Sequence, residues 1–203
     1  MKYDRKDSHY RRAKAEGFRA RSAYKLADLD DRHCLFHKGD RVVDLGAWPG
    51  GWLQVVLERV GPQGLVVGVD VVPIDAVPAK NVRLLVGDVR DPAIVDAIRS
   101  HLGGSADVVV SDVAPKLTGV RDVDEARCAE LTDAILERLP ALLVPNGRAV
   151  LKVFMDASYQ ATVAQLRQSF RVVKTTRSKA TRQGSAELYV VAEGLRGNDP
   201  GCG

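Results

Sequence analysis

The chain has 203 residues, so one domain is the default, and two full domains would be cramped. An apolar fraction of 45% and a charged fraction of 28% are ordinary for a globular protein, which excludes extensive disorder and a fibrous or low-complexity chain. The sequence holds no apolar run of the roughly 20 residues that a membrane span requires, and its charged N-terminus does not resemble a signal peptide. We therefore expect a cytoplasmic protein without membrane contact.

The net charge of +4 is concentrated in a basic N-terminal arm, which we assign to residues 1–21. Residues 1–22 carry eight Lys or Arg and three acids, so the remaining 181 residues sum to a charge of −1. Aromatic side chains are interleaved with these cations, a pattern that suits phosphate contacts and base stacking. The arm predicts RNA binding through Arg11, Arg12, Arg19 and Arg21, with a solvated basic tail as the alternative.

The predicted elements begin with a helix from Ser22 to about Arg32, in which Ser22 is the N-cap and Lys25 lies inside. From residue 41 onward, short β-branched apolar runs alternate with helical patterns. The runs that predict strands are RVVDLG, LVVGVD, VRLLVGD, ADVVVSD, RAVLKVF, FRVVKTT and ELYVVAE, and helices are predicted near 51–60, 91–102, 123–144 and 156–169.

This alternation indicates a doubly wound α/β domain, with a Rossmann-like and mostly parallel sheet covered on both faces. The linker between the last two strands is too short and polar for a covering helix, so we expect the last strand to be antiparallel. We assign residues 22–194 to the catalytic domain and residues 195–203, which are rich in Gly, to a flexible tail.

A glycine-rich loop follows the first strand, with the sequence DLGAWPGGW over residues 44–52. Gly46, Gly50 and Gly51 permit a tight turn and close approach of a ligand, and the following helix offers free N–H donors. Trp48 occupies the second glycine position of a dinucleotide fingerprint, which leaves little room for a pyrophosphate. The loop therefore favours a nucleoside without phosphates over a nicotinamide dinucleotide, and a purely structural turn is the alternative.

Three later strands end in carboxylates, Asp70, Asp88 and Asp112. Because the carboxyl ends of parallel strands meet at one edge of a sheet, we expect all three on the rim where ligands of open α/β sheets bind. Asp70 follows Gly46 by 24 residues, close to the spacing of a carboxylate that accepts ribose hydroxyls. Asp88 could accept from an adenine amino group, with a helix N-cap as the alternative. Together the acids favour a cationic ligand such as a sulfonium.

Lys152 interrupts an apolar strand, where a lysine is costly unless its amine reaches a partner. Asp112 on the neighbouring predicted strand is the natural partner. Burial lowers the pKa of an amine and a nearby carboxylate raises it. The pair could therefore tune the lysine to accept a proton from an RNA hydroxyl. Glu187 lies beside the same region if the final strand inserts next to the fifth. A lysine that snorkels at a sheet end is the alternative.

Basic residues recur late in the chain, and no acid occurs between Ala157 and Ala186. Such a block around a loop could hold an RNA backbone beside the crevice, with a solvated surface as the alternative. The candidates for this contact are Arg177, Lys179 and Arg182.

These residues resemble the FtsJ-like (RrmJ-like) family of S-adenosylmethionine-dependent RNA 2′-O-methyltransferases. The resemblance extends roughly from Arg19 to Gly194. It rests on five segments in order: RSAYKL from Arg21, the DLGAWPGGW loop, SDVAP from Ser111, LKVF from Leu151 and SAELY from Ser185.

The resemblance implies a catalytic tetrad, in which Lys152 accepts the proton of the ribose 2′-hydroxyl, Asp112 orients it, and Lys25 and Glu187 complete the site. It implies S-adenosylmethionine as cofactor, held by residues drawn from Gly46, Gly50, Gly51, Trp52, Asp70, Asp88 and Asp112. No metal is required, because the sulfonium is already an activated methyl donor.

The resemblance is closest to the bacterial branch that methylates a uridine in large-subunit ribosomal RNA, because the chain is short and has little beyond arm and catalytic domain. The expected partner is ribosomal RNA within the large subunit, and the expected state is a monomer. Two alternatives stay open: 2′-O-methylation of transfer RNA, and a non-catalytic RNA-binding factor for ribosome assembly.

Overall fold

The computed structural model describes residues 13–115, 118–182 and 184–197. The predicted RNA contacts Arg11 and Arg12 lie outside these described residues. The helices are α1 (Ala23–His33), α2 (Gly51–Val60), α3 (Ala93–Leu102), α4 (Arg121–Leu142) and α5 (Tyr159–Ser169). The strands are β1 (Arg41–Leu45), β2 (Leu65–Asp70), β3 (Val82–Val86), β4 (Ala106–Ser111), β5 (Leu143–Phe154), β6 (Phe170–Thr176) and β7 (Glu187–Leu195).

The seven strands form one sheet in the order β3-β2-β1-β4-β5-β7-β6. Strands β1 to β5 pair in parallel, and β7 inserts between β5 and β6 and is antiparallel to both. This confirms the doubly wound, Rossmann-like α/β fold and the antiparallel last strand. The strand order reverses between β1 and β4, which is where an open α/β sheet forms its ligand crevice.

The central strands are buried on both faces, which is why they consist of unbroken apolar runs rather than alternating patterns. Successive residues of one strand point into opposite cores. Val43, for example, packs with the helices α3, α4 and α5, whereas Val42 packs with α1 and α2. Helices on both sides of the sheet therefore hold its carboxyl edge rigidly, and the candidate site lies on that edge.

Some details differ from the prediction. Ser22 stands at the N-cap position of α1, but its side chain makes no capping hydrogen bond, because its backbone is already helical. Strand β5 begins at Leu143, earlier than its apolar run suggests. Strand β7 continues through Leu195, which is 5% exposed and packs in the core beyond the predicted domain end. None of the described helices has both the length and the apolar character that crossing a membrane would demand.

Candidate functional site

An open cleft of about 990 Å³ lies at the carboxyl edge of the sheet. The segments that follow β1, β2, β3 and β4 form its floor and walls, and α4 closes one side with Arg127, Glu130 and Leu131. The three predicted strand-end carboxylates Asp70, Asp88 and Asp112 all line it, as do Gly46 and Trp48. The topology thus brings residues that are 66 positions apart in the sequence onto one surface.

Asp70 is held by the backbone of two loops. Its Oδ2 accepts a hydrogen bond from the backbone N–H of Trp48 at 2.9 Å, and its Oδ1 accepts one from Val72 at 2.9 Å. Each carboxylate oxygen therefore keeps a further lone pair for a ligand. This is the geometry required of a carboxylate that receives two ribose hydroxyls.

Asp88 is held by an arginine that the sequence did not single out. The guanidinium of Arg90 donates to both of its carboxylate oxygens, with Nη2 2.6 Å from Oδ2, and continues to Glu130 of α4 at 3.1 Å. These hydrogen bonds lower the pKa of Asp88 and more than offset its partial burial. Asp88 is therefore ionised at neutral pH and can accept from an amino group.

Each glycine of the glycine-rich loop is required for a different structural reason. Gly46 has φ +80°, and a Cβ there would lie 2.6 Å from Cγ2 of Val113, so only glycine fits between β1 and the segment after β4. Gly50 has φ +109°, and a Cβ there would lie 2.9 Å from Cδ of Arg19. Gly51 likewise makes room for Ala20, 2.9 Å from its ideal Cβ. Gly50 and Gly51 thus seat the segment before α1, and they do not line the cleft of the described residues.

Trp52 is buried rather than part of the cleft wall. It is 2% exposed, its indole N–H donates to the carbonyl of Ser22 at 2.9 Å, and its ring lies 6.0 Å from that of Tyr189. A contact of this residue with the cofactor would therefore run through its backbone. Trp48, in contrast, is 56% exposed on the rim of the cleft.

Asp44 is a candidate that the sequence reasoning missed. Its side chain is fully buried in β1, and among the described residues neither carboxylate oxygen has a hydrogen-bond partner. Burial, together with the charges of Asp112 and Asp70, raises the pKa of Asp44 well above its ordinary value. An unpartnered acid in an apolar strand is the same signal that identified Lys152, so the run RVVDL could have revealed it.

The Lys152 side chain, 7% exposed, meets Asp112 as predicted. Its Nζ donates to the backbone carbonyl of Asp112 at 2.7 Å and lies 3.0 Å from the carboxylate Oδ1. This ion pair lies where β5 and β4 end side by side. It places a single amine at the centre of the carboxyl edge, between the acids of the cleft and the last strand.

Lys25 and Glu187 form a second, almost buried pair. Nζ of Lys25 lies 2.6 Å and 2.8 Å from the two carboxylate oxygens of Glu187, and the hydroxyl of Tyr189 donates to Oε1 at 2.8 Å. Burial alone would raise the pKa of Glu187, but Lys25, Tyr189 and the charge of Lys152 bring it below its ordinary value. Because β7 inserts beside β5, Glu187 lies opposite Phe154, two residues from Lys152.

Tyr189 lies beneath both pairs, and the sequence reasoning gave it no role. Its ring is fully buried, and burial together with the charges of Asp112 and Glu187 raises its pKa. The phenol therefore stays protonated and serves as a permanent donor to Glu187. Tyr189 fixes the position of one carboxylate and forms the floor under the four charged groups.

The predicted late basic loop packs against α1. Asp28 accepts from the backbone N–H of Lys179 at 3.0 Å, and Arg32 donates to the carbonyl of Arg177 at 3.1 Å. The guanidinium of Arg177 in turn donates to the carbonyl of Ser185 at 2.6 Å. The loop, which also contains Arg182, thus lies next to α1, the helix that carries Lys25.

Comparison with known proteins identifies the family of this chain. Residues 18–195 match the family described as FtsJ-like methyltransferase. A protein of Methanothermobacter thermautotrophicus named ribosomal RNA large subunit methyltransferase E is 43% identical over 195 residues, which cover 96% of this chain and 92% of that protein. A protein of the same name from Anaeromyxobacter dehalogenans is also 43% identical over 195 residues, 96% of this chain and 73% of that protein.

Among solved structures, a ribosomal RNA methyltransferase of Plasmodium falciparum has the same architecture, with a TM-score of 0.78 and 26% identity over 89% of this chain and all of that chain. The fold is that of a methyltransferase. The chain belongs to the FtsJ-like methyltransferase family, and its methyl donor is S-adenosylmethionine. The family, the enzyme class and the cofactor predicted from the sequence are therefore confirmed.

Proposed function

We propose that this protein transfers a methyl group from S-adenosylmethionine to the ribose 2′-hydroxyl of a nucleotide, a uridine, in large-subunit ribosomal RNA. The observation that carries the proposal is the pair of ion pairs Lys152–Asp112 and Lys25–Glu187, which lie together beside the acidic cleft. The name shared by the relatives supports the ribosomal substrate. With ribosomal RNA as substrate, the protein works in the cytoplasm, and we keep the expectation of a monomer.

The cleft fits the cofactor by charge as well as by size. The carboxylates of Asp70 and Asp112 line the cleft and make it acidic, which suits a ligand that carries an ammonium and a sulfonium. Asp70 would take the ribose hydroxyls and Asp88 the adenine amino group. The bound sulfonium supplies an activated methyl group, so no further activation of the donor is needed.

The chain's own residues then align the acceptor and take one proton. Lys152 lies beside Asp112, which lines the cleft, and the neutral amine form of its Nζ accepts the proton of the 2′-hydroxyl as the new C–O bond forms and the S–CH₃ bond breaks, which leaves an ammonium beside the Asp112 carboxylate. Asp112 orients Lys152 through two contacts, at 2.7 Å and 3.0 Å. Lys25 and Glu187 hold the ribose side of the site, and Tyr189 keeps Glu187 in place.

The RNA contact is proposed for the surface formed by the end of the arm, α1 and the late basic loop. Arg21 directly precedes α1, and Lys179 and Arg182 belong to the loop that packs on that helix. Thr181 of the same loop has its hydroxyl 3.4 Å from Glu187, so the loop adjoins the tetrad. Phosphates held by these cations would therefore pass close to Lys152.

The experiment that tests the function is methyl transfer from labelled S-adenosylmethionine to three substrates: undermethylated large ribosomal subunits, their free RNA, and transfer RNA. Nucleoside mass spectrometry of the product identifies the modified residue. We expect 2′-O-methyluridine with the ribosomal substrates only. Methylation of transfer RNA would overturn the substrate, and cofactor binding without any transfer would favour the assembly-factor alternative.

The RNA surface is tested by the salt dependence of binding. Each phosphate contact that is lost lowers the slope of log affinity against log salt by about one unit. We expect Lys179→Ala to lower this slope, whereas Lys38→Ala, on an exposed lysine before β1, leaves it unchanged. Equal slopes in the two variants would show that Lys179 makes no phosphate contact and would favour the alternative, in which the late basic loop is a solvated surface.

A further inference from the structure

Arg19, which the sequence suggested as an RNA contact, connects two loops of the cleft. Its Nη1 donates to the backbone carbonyl of Asp75 at 2.6 Å and its Nη2 to that of Ala76 at 2.5 Å. The same Nη1 lies 3.4 Å from the carbonyl of Pro49 in the glycine-rich loop. One planar guanidinium thus holds the loop after β1 and the loop after β2 together.

The chain is built to seat this side chain. Gly50, with its positive φ and no Cβ, leaves the space that the Arg19 side chain fills. The backbone N–H of Arg19 donates to Oε1 of Gln54 at 2.8 Å, and Nε2 of Gln54 donates to the carbonyl of Gly17 at 2.9 Å. Gln54 of α2 therefore fixes the backbone of Arg19 at the point from which its side chain extends past Gly50.

The segment that Arg19 holds, residues 71–79, has neither helix nor strand. We call it the 71–79 loop. Its first residues, Val71 and Val72, line the cleft directly after Asp70, and the N–H of Val72 is one of the two donors to the Asp70 carboxylate. The position of the loop therefore determines the position of the carboxylate that would receive the ribose hydroxyls.

We infer that Arg19 is a positioning residue for the methyl donor: it holds the 71–79 loop against the glycine-rich loop and so keeps Asp70 and Val72 in the geometry that binds the nucleoside. This inference rests on the proposed cofactor contact of Asp70. Because Ile74 and Val77 also pack on the core, loss of Arg19 loosens the loop without detaching it. The fork of two adjacent carbonyls suits a guanidinium and not an ammonium.

The test measures binding of S-adenosylmethionine and of 5′-methylthioadenosine by calorimetry, with no RNA present. We expect Arg19→Ala to weaken the binding of both ligands by about five- to tenfold, roughly the size of one ordinary hydrogen bond, because Arg19 acts on the ligand only through Asp70. Arg19→Lys keeps the charge but cannot donate to both adjacent carbonyls at once, so its affinity for both ligands should fall almost as much. Arg83→Ala is the matched control, because Arg83 also donates to two backbone carbonyls, but within its own segment.

Two further readouts separate positioning from general stability. Amide exchange in Arg19→Ala should quicken in the 71–79 loop while the amides of β2 and β3 keep their protection. In turnover, KM for the methyl donor should rise, whereas kcat at saturating donor and KM for RNA should stay unchanged. The inference would be wrong if Arg19→Ala raised only the KM for RNA and Arg19→Lys kept the wild-type value. Arg19 would then be an RNA contact. Absence of any donor binding to the wild-type protein would instead refute the proposed function.

Discussion

The two halves of the carboxyl edge use carboxylates in different ways. On the side of β1, β2 and β3, Asp70 is held by backbone N–H groups and stays open to a ligand, and Asp88 is held by an exposed arginine. On the side of β4, β5 and β7, Asp112 and Glu187 are each paired with a lysine whose side chain is at most 8% exposed. We call these the binding half and the lysine half.

The difference shows what each half is suited to do. Ligand binding requires acceptors that are oriented but still have free lone pairs, which the backbone donors to Asp70 achieve without adding a competing charge. Proton transfer requires an amine that is held at one point and shielded from water, which a buried lysine paired with a carboxylate provides. Asp44 of β1 lies between the two halves and has neither kind of partner among the described residues.

The largest expected effect is in the lysine half. Lys152→Ala should lower kcat at least about a hundredfold, the usual contribution of a positioned general base, while donor binding persists. Turnover is measured with undermethylated large subunits at saturating donor, and calorimetry with the donor shows that the variant is folded. Lys38→Ala, which removes a lysine far from the cleft, serves as the control. Near-normal turnover would remove Lys152 from the mechanism.

The second effect belongs to the binding half. Asp70→Ala should raise the Kd of S-adenosylmethionine at least about tenfold, because it removes a charged acceptor for the ribose hydroxyls. Asp91→Ala is the matched control, since Asp91 also accepts from a backbone N–H, that of Ala93, but does not line the cleft. The two halves would not be distinct in function if Asp70→Ala lowered kcat and left the Kd of the donor unchanged.

Most of the architecture was predictable because it follows from local patterns. Each apolar run gave a strand, and parallel strands necessarily bring Asp70, Asp88 and Asp112 to one edge. The pairing of Lys152 with Asp112 was also predictable, because a lysine in an apolar strand needs a partner and only the adjacent strand end offers one.

What the sequence could not show depends on contacts between distant segments. Arg19 donates to a carbonyl 56 residues away, and the hydroxyl of Tyr189 reaches Glu187 only because β7 inserts beside β5. Arg90 is only two residues from Asp88 in the sequence, yet its hydrogen bond to the carboxylate depends on a side-chain rotamer that no sequence pattern specifies. Gly50 and Gly51 were expected to make room for a ligand, whereas the structure shows that they make room for Arg19 and Ala20 of the chain itself.

A third prediction concerns the second pair of the lysine half. Because the pKa of Glu187 is depressed in the folded protein, the stability that it contributes is fully present above the value of about 4.3 for a free Glu and is lost as the pH falls through the folded value. Glu187→Gln leaves Lys25 buried without a counter-charge and should cost about 2–4 kcal/mol at neutral pH.

The measurement is denaturant unfolding of the wild type and Glu187→Gln between neutral and acidic pH. The difference in free energy of unfolding should shrink below about pH 4.3. In the double variant Lys25→Met with Glu187→Gln, the loss should be smaller than the sum of the two single losses, because no unpaired charge remains. Additive losses and a difference that does not depend on pH would show that the two groups do not act as a pair.

The smallest effect is expected at Asp44 and concerns stability. Because its pKa is raised by burial and by Asp112 and Asp70, its favourable contribution is present below the free value of about 3.9 and is lost as the pH rises through the folded value. Asp44→Asn should therefore raise the unfolding midpoint at neutral pH, by about 2–4 °C for each kcal/mol gained, and its advantage over the wild type should widen from acidic to neutral pH. Thermal unfolding across pH is the measurement, with the exposed Asp133→Asn as control. An advantage that stayed constant with pH would mean that the pKa of Asp44 is the same in the folded and the unfolded protein, so that burial does not raise it.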